Sequence, residues 1–175
     1  MRRTLLTLAL ALPLLSACAS GGLKPRYDRV AGTTGLTQQI LDTSGGLSSG
    51  RFPMRITAYY GWRGQGAPAP AQAAFLNFTA WPRTAAGWQW LNNNRLQVLV
   101  DGEQRATYNG RYDSEIQQNN LYEHVVYQIP TTDLEVMANA TRVEGRVGTR
   151  DFVLEGEELT RLREFVTYIR GGSGR

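Results

Sequence analysis

The chain has 175 residues, 42% of them hydrophobic and 19% charged, with a formal net charge of +4. That is one domain's worth of sequence, long enough to bury a real core, and its charges are too even and too scattered for a nucleic-acid footprint. A single cysteine and a single histidine exclude a disulfide framework, a thiolate metal site and any cluster of imidazole ligands.

The chain opens on a basic start, Met1-Arg2-Arg3, followed by a Leu- and Ala-rich run from Thr4 to Leu15. This run is shorter than the roughly 20 apolar residues a spanning helix needs. A basic flank, a short apolar run and small residues at its end describe a secretory signal peptide. The ending Leu15-Ser16-Ala17-Cys18 resembles the lipobox of bacterial lipoproteins: an aliphatic residue, two small ones, then cysteine. The resemblance implies a signal peptide over 1–17, cleavage before Cys18 and a diacylglyceryl thioether on its sulfur. The new amino group would often be acylated as well. Two or three acyl chains make a stable anchor where one does not. Arg2-Arg3 lacks the rest of a twin-arginine signal. Ala19 stands where, in the sorting pattern this resembles, an aspartate would favour the inner membrane; its identity points to the outer one. Removing Arg2 and Arg3 from the 19 basic residues leaves 17 against 15 acidic ones, so the mature chain is near +2.

The resemblance implies a lipidated N-terminus and flexible linker over 18–25, and the expected organisation of the rest is one β-rich domain over 26–170 with a short tail over 171–175. From Ala19 to Lys24 the leash reaches at most about 20 Å when extended, which keeps the domain close to the lipid. Leu36 to Asp42 reads as a strand, and the Gly/Ser-rich Thr43 to Gly50 as a loop. Met54 to Tyr60 alternates with the period of a half-buried strand. Gly61 to Ala73 contains few core formers, and loops of that length are commonly functional or disordered. Phe75 to Trp81 is the next strand, stopped by Pro82, and Trp88 to Leu91 a short aromatic one.

Arg95 to Val100, Glu103 to Tyr108 and Arg111 to Ile116 are separated by Asp101-Gly102 and Asn109-Gly110. Both pairs suit type I′ hairpin turns and predict a three-strand meander. Leu121 to Ile129 is a further strand with Leu121, Val125, Tyr127 and Ile129 on one side. Thr132-x-x-Glu135 has the spacing of a capping box, with Leu134, Met137 and Ala138 as the apolar stripe behind it. Arg142 to Val147 and Asp151 to Glu155 pair through Gly148-Thr149. Glu157 to Arg170 is an amphipathic helix with Leu159, Leu162, Val166 and Ile169 inward. The expected fold is mainly β (α+β): an antiparallel β-sandwich with two helices in the C-terminal third, a partly open barrel being the alternative. From Leu96 onward the chain also resembles uncharacterised exported β-rich domains.

Catalytic chemistry finds little support. His124 is the only base of its kind, no serine sits in a G-x-S-x-G elbow, and the Gly61-x-x-Gly64-x-Gly66 run lacks the P-loop ending. Asp113 and Glu115 share a strand face, but their spacing alone does not define a glycosidase pair. The expectation is therefore no catalytic residue, no metal and no cofactor beyond the covalent lipid on Cys18. The aromatics are the best lead: Trp88 and Trp90, two apart on the expected strand, together with Tyr59, Tyr60 and Trp62. Such a surface stacks on sugar rings or grips a protein. The expected partners are the membrane through its anchor, the lipoprotein-processing enzymes, and an envelope protein or glycan, with no nucleic acid. The function expected is non-enzymatic binding or scaffolding at the cell envelope, with glycan binding and, third, envelope hydrolysis as alternatives.

Overall fold

The computed structural model describes residues 23–43, 53–81, 87–117 and 120–171. The lipobox and Cys18, most of the leash, the loop at 44–50, Pro82 and the tail beyond Gly171 lie outside the described residues. The elements are β1 (Arg26–Asp28), β2 (Thr33–Asp42), β3 (Met54–Arg63), β4 (Ala73–Ala80), β5 (Arg95–Val100), β6 (Glu103–Asn109), β7 (Arg111–Gln117), β8 (Asn120–Pro130), α1 (Thr131–Asn139), β9 (Val143–Val147), β10 (Arg150–Leu154) and α2 (Glu157–Ile169).

The strands form two antiparallel sheets. One has six strands in the order β1-β2-β3-β4-β8-β7, the other four in the order β10-β9-β5-β6. Alternation along the strands fills the space between them. Ile56, Leu76, Phe78, Val125 and Tyr127 point inward from the large sheet, and Leu96, Val98, Val143, Phe152 and Leu154 belong to the same buried cluster. Phe78 carries the contact across the layers: its ring centroid is 5.3 Å from that of Phe152 and 5.3 Å, edge-on, from Tyr127. The mainly β sandwich with two late helices is therefore the observed architecture.

Four strands cannot cover six. The remaining inner surface over β2 and β3 is covered by α2, which also packs on α1. Leu159, Leu162, Phe165, Val166 and Ile169 supply its buried face, at the three- and four-residue spacing of an amphipathic helix. The segment between β3 and β4 is bonded down rather than loose. Ala71 donates its N–H to the Ile169 carbonyl and accepts the Thr131 hydroxyl proton, while Thr131 N–H reaches the Gln72 carbonyl.

Three expectations differ from the structure. Asp101 and Gly102 do take positive φ, 50° and 86°, in the β5–β6 hairpin. Asn109-Gly110, however, is not a hairpin turn: β6 belongs to the small sheet and β7 to the large one. Gly110 is needed for space. A Cβ there would lie 2.2 Å from Val125 Cγ1 and 2.7 Å from Tyr127 Cε1, so only glycine lets the chain cross between layers at this point. The capping box is absent too, because α1 begins at Thr131 behind Pro130 and has no side-chain cap bond. Finally, Trp88 to Leu91 is a bend and turn, not a strand.

Candidate interaction site

The loss of that strand separates the expected aromatic platform into four places. Trp90 is fully buried in the core, where its indole N–H donates to the Val147 carbonyl at 3.2 Å. Tyr60 and Trp62 stack with centroids 5.9 Å apart, and Trp62 also meets Tyr168 of α2 at 6.4 Å. The Trp62 indole N–H is engaged by the Gly66 carbonyl at 2.7 Å. Tyr59 lies on the outer face of the large sheet. There its ring spans Gly35 and Gly61, and a Cβ on Gly61 would come within 2.6 Å of its hydroxyl. Trp88 alone among the three named tryptophans is largely open to solvent, at 47% exposure.

The group that organises this region is Glu123, a residue the strand pattern passes over. It sits on the inner face of β8 between Leu121 and Val125 and is completely buried. Its carboxylate accepts the Gln89 N–H on both oxygens, at 3.0 and 2.9 Å, and the Trp90 N–H at 2.9 Å. The Tyr112 hydroxyl of β7 donates a further bond at 3.2 Å. Burial raises the Tyr112 hydroxyl above its ordinary pKa, and the neighbouring Glu123 charge adds to the shift, so the phenol stays a donor. A carboxylate taken out of water is tolerable only when such donors replace its hydration. Here they fix the segment from Gly87 to Leu91 against the inner side of β7 and β8. The signal was present in the sequence: inward residues at Leu121, Val125 and Tyr127 put position 123 on the same face, where an acid is out of place.

The pinned segment shows solvent two apolar side chains, Trp88 at 47% and Leu91 at 49%. Ile116, 69% exposed, lies two residues along the inner face of β7 from Ser114, the cross-strand partner of Glu123. Among the described residues β7 is also an edge strand, with β8 as its one neighbour in the sheet. An exposed aromatic on a backbone segment pinned by Glu123, with further exposed apolar side chains at Leu91 and on the edge strand β7, offers the kind of groups that polypeptide-binding surfaces use.

The opposite face of the large sheet carries polar groups in register: Asp113, His124, Thr79, Arg55 and Asp42 lie in one row across five strands. Thr79 Oγ1 is 3.2 Å from His124 Nδ1, and Glu115 Oε1 is 3.6 Å from Nε2. Arg55 bonds Asp42 and stands over the Trp81 ring at 5.5 Å. Hydroxyl, imidazole and carboxylate are thus aligned, as nucleophilic catalysis requires. They lie on an open pleated surface rather than in a cleft that excludes water, and their cross-strand pairing accounts for them as a sheet-stabilising ladder. Among the described residues, no group of three or more His, Cys, Asp and Glu is placed to hold a metal ion, and no helix is long and apolar enough to cross a membrane. No protein-family model, curated protein or solved structure matches the chain.

Proposed function

We propose that the protein is a lipid-anchored component of the bacterial cell envelope, acylated on Cys18, that binds a partner polypeptide without catalysing a reaction. The observation that carries the binding role is the use of a fully buried carboxylate, Glu123, to hold a loop whose solvent-facing residues are Trp88 and Leu91. Burying an ionised group is costly, and the arrangement fixes the backbone next to Trp88, which reduces the ordering that an anchor residue needs when a partner arrives. The lipobox supports the envelope location, and Ala19 favours the outer membrane.

A glycan-binding role draws support from the same Trp88 ring, but sugar stacking works best with several open rings side by side. Of the three tryptophans that would form such a platform, Trp90 is sealed in the core and Trp62 is occupied by Tyr60 and Tyr168. The polypeptide reading is therefore preferred.

The test is site-specific photocrosslinking in the native host. A crosslinker at position 88 yields one discrete adduct with an envelope protein, and a crosslinker at Thr107, exposed on the small sheet, does not. Leu91→Ser in the position-88 background lowers the adduct yield at unchanged protein level. A smear of adducts, or equal yields from both positions, contradicts the assignment.

A further inference from the structure

The edge of the large sheet farthest from Trp88 has a different character. β1 pairs β2 with Arg26 opposite Gly35 and Asp28 opposite Thr33, and Arg63 of β3 stands opposite Thr33 on the other side. The turn that joins β1 to β2 carries Arg29 and Val30, and Lys24 precedes β1. Lys24, Arg26, Arg29 and Arg63 are all exposed, and Val30 is 100% exposed at the tip. The one acid among them, Asp28, offsets a single charge and forms no ion pair with them among the described residues. Asp28 turns its Oδ1 onto the backbone N–H groups of Val30 and Ala31, at 2.8 and 3.1 Å. The Gly64 N–H to Gly32 carbonyl bond, 2.9 Å, holds the end of β3, where Arg63 stands, beside the β1–β2 turn.

This contrasts with the C-terminal part of the fold, where Arg142, Arg146, Arg161 and Arg170 each pair with a carboxylate. None of the ion pairs among the described residues involves the four cations of the β1 edge. Beside them lies an open recess of about 600 Å³ whose lining includes Arg26, Arg29, Thr33, Thr37 and Tyr59 and one acid, Asp28.

We propose that this edge is the surface the domain lays against its bilayer, with Lys24, Arg26, Arg29 and Arg63 binding anionic phosphate-bearing headgroups and Val30 entering the interface. The inference rests on the Cys18 anchor for its biological setting. The short leash from Cys18 to Lys24 spans at most about 20 Å, so the β1 edge can reach the headgroups, where cations within a Debye length of roughly 8–10 Å are drawn to an anionic surface. Charge and tether act together: the acyl chains hold the protein at the membrane, and the cations choose which side of it faces the lipid. The β7 edge and the Trp88 loop then point away from the bilayer.

The experiment uses mature protein purified from its native host, carrying Val30→Cys labelled with a fluorophore, on vesicles that contain headgroup-attached nitroxide quenchers. Neutral phosphatidylcholine vesicles are compared with vesicles containing phosphatidylglycerol. Strong quenching on the anionic vesicles is expected, with a clear drop on neutral ones or at high salt. Each cation near an anionic surface contributes on the order of a fivefold preference, so the triple reversal Arg26→Glu, Arg29→Glu, Arg63→Glu lowers the excess quenching by at least about tenfold. Equal quenching on the two vesicle types, or an unchanged signal in the triple variant, overturns the proposal even if the protein stays vesicle-bound. Loss of retention on neutral vesicles with anionic binding intact instead removes the lipid anchor and leaves the basic surface standing.

Discussion

At the scale of single residues, Glu123 and Gly110 hold parts of the chain where neither propensity nor pattern would put them. Replacing Glu123 with alanine removes the acceptor for two backbone N–H groups and the Tyr112 hydroxyl. Each donor left buried without a partner costs about 1–3 kcal/mol, so the variant should lose roughly 3 kcal/mol or more by urea denaturation. Faster hydrogen exchange at Gln89 and Trp90 is expected with it. Protection unchanged at those two amides would show that the carboxylate does not hold the loop. Gly110→Ala tests the crossing between sheets. A Cβ placed 2.2 Å from Val125 Cγ1 overpacks a site that cannot yield easily, at a cost of about 1–3 kcal/mol or above. Pairing it with Gly102→Ala separates the two uses of glycine. At Gly102 nothing lies within 4 Å and the penalty comes from a φ of 86°, on the order of 1 kcal/mol.

At the scale of elements, both helices and the strands from β2 to β10 are legible in the sequence because their periodicities and turn residues reflect a one-sided core. The boundaries of α2 agree with its expected range to within one residue, and Gly148, at φ 60°, makes the turn expected between β9 and β10. What the sequence could not convey was which sheet each strand joins. Asn109-Gly110 carries the chemistry of a hairpin turn, yet steric demand from Val125 and Tyr127, remote in the chain, gives that glycine another purpose. For the same reason β1 went unseen: three residues with two charges show no period, and only pairing with Thr33, Thr34 and Gly35 makes them a strand. The candidate site was half legible. Trp88 was singled out, but its grouping with Trp90 assumed a strand where the buried Glu123 imposes a turn. The helices supply the test at this scale. Leu162→Ala, at a position 1% exposed, should cost about 2–4 kcal/mol. Thr132→Ala should change stability by less than about 0.5 kcal/mol, since α1 makes no side-chain cap bond. A loss near 1 kcal/mol would restore the capping box.

At the scale of the whole molecule, three phenols join parts of the sandwich and set its response to alkali. Tyr108 of β6 donates to Asp133 of α1 at 2.7 Å, and Tyr127 of β8 donates to the Asn94 carbonyl at 2.9 Å. Burial raises both hydroxyls well above their ordinary value, helped at Tyr108 by the Asp133 bond and charge. Tyr112 shifts in the same direction. A raised folded-state pKa gives stability that is complete below the unfolded value near 10 and lost as the pH climbs through the folded values. Denaturation midpoints should therefore be level through neutral pH and fall above about pH 10. Tyr108→Phe should flatten that decline, and a midpoint independent of pH in the alkaline range would contradict it.

The large sheet also gives the molecule two ends. Six strands at about 4.8 Å spacing set the basic β1 edge roughly 24 Å from the β7 edge, where Glu123 on the adjoining β8 holds the backbone of Gln89 and Trp90. A protein moored at the first end offers the second to its surroundings, and that arrangement depends on the chemistry of Cys18. Intact-mass and N-terminal peptide mass spectrometry of the protein from its native host tests this most directly. The account predicts a mature chain that begins at Cys18 and carries a diacylglyceryl group on its sulfur. A mature chain with an unmodified Cys18 thiol, or one that begins beyond it, would contradict the account.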